Sequence, residues 1–165
     1  MDPILILNNI KRFVQIITLN IPSGYEYMLH KSKFIWLKKE IISGNMSLLI
    51  YQVPLHSIKK GDNEIASIVR MRDSIGKYIH GTDPNTPMIT EEGYAPYLFK
   101  IQLDGKPTYE TKGTWELKND FMAGPFINYA IVDKAYSRIL VLEGFCYSPS
   151  KEKRDLMHEL EAIIK

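Results

Sequence analysis

The side chains best able to do chemistry are few and scattered. Cys146 is the one cysteine, set in Gly144-Phe145-Cys146-Tyr147. A catalytic thiol needs an activating base, and no signature supplies one, so the residue reads as a small buried hydrophobe. A lone cysteine also excludes an internal disulfide and a cysteine-based zinc site. His30, His56, His80 and His158 show no His-x-x-x-His or Glu-x-x-His spacing, the pattern that puts two metal ligands on one helix face. No metal and no cofactor is therefore expected. Glu91 and Glu92 are neighbours, so in a strand they point to opposite faces. Glu143 lies among apolar residues in Val141-Leu142-Glu143-Gly144-Phe145 and is expected to pair with a basic residue across a sheet. Glu110, Lys112 and Glu116 fall on one face of their strand, where Lys112 suits a cross-strand ion pair. Lys112, Glu116 and Glu143 form a candidate polar pocket, with acid–base catalysis as the competing reading. No catalytic residue is assigned.

The most distinctive block is apolar: Gly113-Thr114-Trp115, then Asn119-Asp120-Phe121-Met122-Ala123-Gly124-Pro125-Phe126. A loop of this composition either lines an apolar pocket or plugs the end of a sheet. Binding residues concentrate in irregular loops on a rigid sheet. Gly124 lets another backbone approach closely, and Met122 adapts its shape to a contact. Trp115, Phe121, Met122 and Phe126 are therefore expected to border the interaction surface, with Tyr94 and Tyr97 as neighbours. Phosphate-binding glycine motifs, a nucleophile elbow and a dinucleotide fingerprint are missing from the sequence.

These residues need elements to hold them. Asp2-Pro3 is a helix start, and Ile4, Leu7, Ile10 and Val14 follow at helical spacing. Ile17, Leu19 and Ile21 then alternate as a strand, Pro22 to Tyr25 reads as a turn, and Tyr25, Tyr27 and Leu29 alternate again. Strands Phe34 to Ile42 and Met46 to Val53 flank Ser43-Gly44-Asn45, a tight antiparallel hairpin. From Glu64, the residues Ile65, Ile68, Val69, Ile75 and Ile79 trace a helix face about sixteen residues long. Arg70, Arg72, Asp73 and Lys77 occupy its remainder, and His80-Gly81 closes it. Residues 82–96 suit a surface loop with at most a short strand at Met88 to Thr90. Tyr97 to Leu103 and Thr108 to Leu117 flank Asp104-Gly105, a strong hairpin signal. Phe126 to Val132 and Arg138 to Tyr147 follow as a second hairpin. Ser148-Pro149 then caps a helix striped with Leu156, Leu160, Ile163 and Ile164.

That order predicts one α+β domain over residues 1–165, with a mainly antiparallel sheet of about six to eight strands packed against helices in an α/β/α sandwich-like arrangement. Trp36, Leu49, Ile68, Ile75, Trp115, Phe126, Val141, Phe145, Leu156 and Leu160 are the expected core. Of the 165 residues, 45% are hydrophobic and 24% charged, and 21 Lys+Arg against 19 Asp+Glu leave +2. This is ordinary globular composition, too balanced in charge to point to nucleic acid. The apolar runs are too short for a membrane span or a signal-peptide core.

Six segments carry a likeness. Ile21-Pro22-Ser23-Gly24-Tyr25, Phe34-Ile35-Trp36-Leu37-Lys38-Lys39-Glu40 and Leu49-Ile50-Tyr51 resemble the later part of an envelope lipoprotein family of the Bacteroidota, the domain of unknown function 4837. Gly113-Thr114-Trp115, Asp120 to Phe126 and Val141 to Pro149 fit it more closely, and the likeness covers most of residues 17–164. It implies location rather than activity: an exported protein held at the membrane only through a lipid anchor outside this chain. On that likeness the chain is the C-terminal segment of a longer precursor and Met1 an artificial start, although the residues themselves leave a cytoplasmic site open. The order of elements also resembles a Mog1/PsbP-like sandwich, an analogy without functional content. The expected function is a non-catalytic binding or scaffolding module for an envelope protein or small ligand. The alternative is an enzyme or small-ligand carrier using a pocket near Trp115 and the 119–126 loop.

Overall fold

The computed structural model describes residues 23–31, 33–59, 61, 63–80, 85–93, 96–148 and 154–164. The helix expected at 4–15 and the strand expected at 17–21 lie outside them. Strands β1 (Glu26–Lys31), β2 (Phe34–Ile41), β3 (Gly44–Pro54), β4 (Met88–Thr90), β5 (Tyr97–Leu103), β6 (Lys106–Leu117), β7 (Ala123–Asp133) and β8 (Arg138–Tyr147) form one sheet. Its order is β1-β2-β3-β8-β7-β6-β4, with β5 also paired to β6. Every pairing between these strands is antiparallel. The long strand β6 serves two short ones on the same edge: its first part pairs with β5 and its last residues with β4.

Turn chemistry sets the hairpins. Asp104 and Gly105 both have positive φ, 52° and 75°, the pair of conformations that matches the twist of two adjoining strands. Alternation along β8 then sorts the core. Leu140, Leu142 and Cys146 enter one cluster, with Leu160, Ile163 and Ile164 of helix α2 (Arg154–Ile164). Ile139, Val141 and Phe145 enter the other, with Ile68 and Met71 of helix α1 (Glu64–Gly76). Helix α2 lies over β8, β7 and β3, and Gly144 makes room for it, since a Cβ there would stand 2.8 Å from Leu160 Cβ. Helix α1 packs mainly against the short edge strand β4. The α+β class and the antiparallel sheet stand as expected, with the sheet dominant among the described residues.

Two boundaries differ from the sequence reading. Asn63 caps α1, its Oδ1 accepting from Ala66 N at 3.2 Å, but the helix ends at Gly76 with Lys77 as its C-cap. His80 instead bridges to Pro87. The cause is tertiary: a Cβ on Gly76 would stand 1.9 Å from the Met88 carbonyl oxygen, so β4 fits only against a bare backbone. Strand β7 begins at Ala123, so half of the expected 119–126 loop is sheet. Of the expected core, Leu49, Ile68, Trp115, Phe126, Val141, Phe145 and Leu160 are buried; Trp36, Ile75 and Leu156 are half-buried.

Candidate functional site: an aromatic cavity beside a sealed ion pair

Glu143 comes from the middle of β8, and its partner is a helix residue rather than a strand residue. Arg72 follows Ile68 by one helical turn, so it shares that residue's inward row. Its Nε and one terminal nitrogen donate to the two Glu143 oxygens at 2.6 and 3.0 Å. The other terminal nitrogen donates to Thr90 Oγ1. Thr90 donates its hydroxyl and backbone N–H to Asp73 at 3.0 and 2.9 Å. Asn128 Nδ2 adds a bond to Glu143 at 2.8 Å, and the guanidinium stacks 3.5 Å over the Phe126 ring. Arg72 and Glu143 are 2% and 1% exposed. Tyr51 stands beside Asn128, where burial, then the Glu143 charge, hold its phenol well above the usual range. Every nitrogen of Arg72 and both oxygens of Glu143 are bonded. The ion pair ties α1 and β4 to the rest of the sheet, and its own charged atoms are all engaged within the protein.

Farther along the same face, the sheet opens into a cavity of about 330 Å³. Trp36 and Lys38 of β2, Asn45 and Ser47 of β3, Phe145 and Tyr147 of β8, and Trp115 and Leu117 of β6 line it. Met122, Ile79 and His80 complete the wall. Cross-strand register brings Lys38, Ser47 and Phe145 into one row. Trp115 reaches across β7 because its partner there is Gly124, where a Cβ would stand 3.0 Å from the indole nitrogen. Having crossed, Trp115 Nε1 donates to the Cys146 carbonyl at 3.2 Å. Its ring meets Phe145 edge-on at 5.6 Å and Tyr147 at 6.3 Å. Trp36 Nε1 donates to Ser47 Oγ at 3.1 Å. Both indole N–H groups are thus occupied; Trp36 is half-buried and keeps ring surface for contact, while Trp115 is 3% exposed and packs mainly on Phe145 and Tyr147.

The remaining wall is set by backbone bonds. Ile79 N donates to Gly76 O at 2.9 Å and Met88 N to Ile79 O at 2.8 Å, fixing Ile79 and His80 against β4. Leu117 N donates to Met122 O at 3.0 Å, closing a tight turn with Asn119 at φ 63°. That turn aims Met122 into the cavity and leaves Phe121 in solvent, 104% exposed.

Of the residues expected at an interaction surface, then, Trp115 and Met122 meet in this cavity. Phe126 is buried under Arg72, and Phe121 points away. Tyr97 is 71% exposed and pairs with Lys112 on the other face of the sheet. Tyr94 lies outside the described residues. The polar trio does not converge either. Lys112 is exposed, with Tyr97 and Ile127 rather than a carboxylate as its cross-strand neighbours. It borders a separate hollow of about 230 Å³ with Met157, His158 and Glu161. Glu116 hydrogen-bonds to Glu91, and that bond, with burial and mutual repulsion, pushes its carboxyl pKa up. Glu143 faces α1. Cys146 is buried as expected, its sulfur 3.7 Å from that of Met157.

Sequence reasoning missed Trp36, Lys38, Ser47, His80 and Tyr147. A signal existed for three of them: Trp36 and Lys38 alternate on one strand face, and Ser47 interrupts an apolar run as the cross-strand neighbour of Lys38.

Fold and site together define a class: an antiparallel-sheet α+β domain that seals a buried ion pair at its centre and presents an aromatic cavity beside it. The chain belongs to the family described as Domain of unknown function (DUF4837), whose model matches residues 7–165. No curated protein matches it. Among the described residues, no helix is long and apolar enough to cross a membrane, and no group of three or more His, Cys, Asp or Glu side chains is placed to hold a metal ion.

Proposed function

We propose that the chain is a non-catalytic binding module that takes a small ligand in the cavity beside Trp115, and that it works in the cell envelope, carried there by a lipid anchor outside the chain. The cavity itself carries the reading. Its volume of about 330 Å³ falls at the lower end of ligand pockets. Its walls are aromatic with a few polar groups, the composition that small-molecule sites share. The strongest ionisable pair nearby is consumed by the fold, which favours binding over acid–base chemistry. The envelope part of the proposal rests on the family likeness alone.

The two tryptophans of the chain, Trp36 and Trp115, both line the cavity. Intrinsic fluorescence therefore reports its occupancy without a label. Phenylbutanol is expected to shift the emission saturably, and Ser47→Phe, which fills the floor, is expected to abolish the shift while leaving a cooperative melt. No response at millimolar concentration, or an unchanged response in S47F, contradicts the binding reading. Turnover of a bound compound would replace it with an enzymatic one. Recovery of the native protein in the soluble rather than the envelope fraction contradicts the location.

A further inference from the structure

We infer that the cavity selects a small amphipathic carboxylate, its apolar body against Trp36, Trp115 and Tyr147 and its carboxylate on Lys38; this rests on the binding reading above. Among the described residues, the lining holds one lysine, Lys38, and no carboxylate. Ser47 is the cross-strand neighbour of Lys38 and Asn45 lies one pair further along on the same face, while His80 enters from the wall against β4. Cross-strand pairs put Lys38 beside Ser47 and Glu40 beside Asn45, so the polar groups of β2 and β3 gather at one end. Trp115, Leu117 and Met122, from β6 and the turn after it, supply apolar surface at the other. A ligand filling both ends must itself be two-sided.

Lys38 already has a partner, Glu40 at 3.3 Å, but Glu40 is 73% exposed and lies outside the lining. An ion pair with a solvated partner is worth at most about 1 kcal/mol. A carboxylate arriving from the cavity side meets the same ammonium with less water around it, where charge-assisted hydrogen bonds are stronger. Glu40 is then a competitor. The aromatic walls alone would also suit a quaternary ammonium ligand, but Lys38 among them repels one. The charge of the head group thus decides between two ligands of equal shape.

Three probes with one body separate the possibilities: phenylbutyrate, phenylbutanol and phenylbutyl trimethylammonium, each titrated by tryptophan fluorescence. Phenylbutyrate is expected to bind the native chain about tenfold more tightly than phenylbutanol, the size of one charge-assisted hydrogen bond, and the ammonium compound most weakly. Lys38→Met should abolish the preference, bringing phenylbutyrate and phenylbutanol to the same affinity; Lys38→Gln is the second variant should K38M lose its cooperative melt. Glu40→Gln should tighten phenylbutyrate alone, by about two- to fivefold. Equal binding of acid and alcohol, preference for the ammonium compound, or an acid preference that survives K38M overturns the inference and leaves the binding reading standing. Failure of all three probes to bind overturns both.

Discussion

Glu143, Phe145 and Tyr147 alternate along one strand and face the same way, yet they belong to two regions with opposite economies. Around Glu143, each charged atom of the pair has a partner, a ring lies against the guanidinium, and solvent is excluded. Around Phe145 and Tyr147, indole N–H groups are tied back to the protein while ring faces and an ammonium border open space. Burying a charge is costly unless its geometry and hydrogen bonds are complete. A completed pair is therefore poor catalytic equipment, however suggestive a carboxylate in an apolar strand looks. The comparison separates residues that hold the fold from residues that can still meet a ligand, although the two groups share a face.

The largest effect should come from breaking the pair on one side only. Arg72→Leu or Glu143→Leu leaves an unpartnered buried charge and should cost about 3–5 kcal/mol in urea unfolding; a loss below about 1 kcal/mol would mean the pair behaves as a surface one. Next comes Gly76→Ala. In an ordinary helix this change gains up to about 1 kcal/mol, but the Cβ would stand 1.9 Å from the Met88 carbonyl oxygen. Overpacking should reverse the sign, with a net loss of about 1–3 kcal/mol. A gain would show that β4 moves freely and that the wall carrying Ile79 and His80 is not fixed.

A smaller effect is readable in alkali. Burial, then a hydrogen bond and repulsion from Glu64, push the Tyr109 phenol up to about 12. A folded pKa raised above the unfolded value of about 10 favours the fold while the phenol is neutral. That contribution is complete below the unfolded value and is lost as pH rises through the folded one. Tyr109→Phe should accordingly flatten part of the stability loss between about pH 10 and 12; an unchanged slope would remove Tyr109 from the account. The smallest effect belongs to Phe121→Ala. With its ring wholly in solvent, stability should change by no more than about 0.5 kcal/mol, and phenylbutanol binding not at all.

How much of this was legible follows from range. Hairpins were legible because their cause is local: Asp104-Gly105 adopts the positive φ pair that its residue types allow. Arg138 to Tyr147 was legible as a strand, and Leu156, Leu160, Ile163 and Ile164 placed α2 by helical spacing; the burial of both faces of β8 was not legible, because its apolar run is continuous rather than alternating. The end of α1 was not, because Gly76 is demanded by β4, whose backbone arrives twelve residues later in the chain. Arg72 was half-legible: its spacing from Ile68 and Ile75 puts it on the buried row, but a charged residue there reads as surface until Glu143 is seen opposite it. Half of the cavity was legible in Trp115 and Met122. The other half comes from β2 and β3, and only the sheet order β2-β3-β8 brings Trp36, Lys38 and Ser47 to Phe145 and Tyr147.

The most direct test of the division between fold and site is the double variant Arg72→Met, Glu143→Leu, melted and then titrated with phenylbutyrate. Replacing both charges by apolar groups of similar bulk is often neutral or stabilising. The double variant should therefore be far more stable than either single one. It should also bind the probe within about threefold of the native chain, because the replaced groups do not line the cavity. A double variant that melts like the native protein yet has lost binding more than about tenfold would contradict the account, and would place the ion pair in the binding machinery.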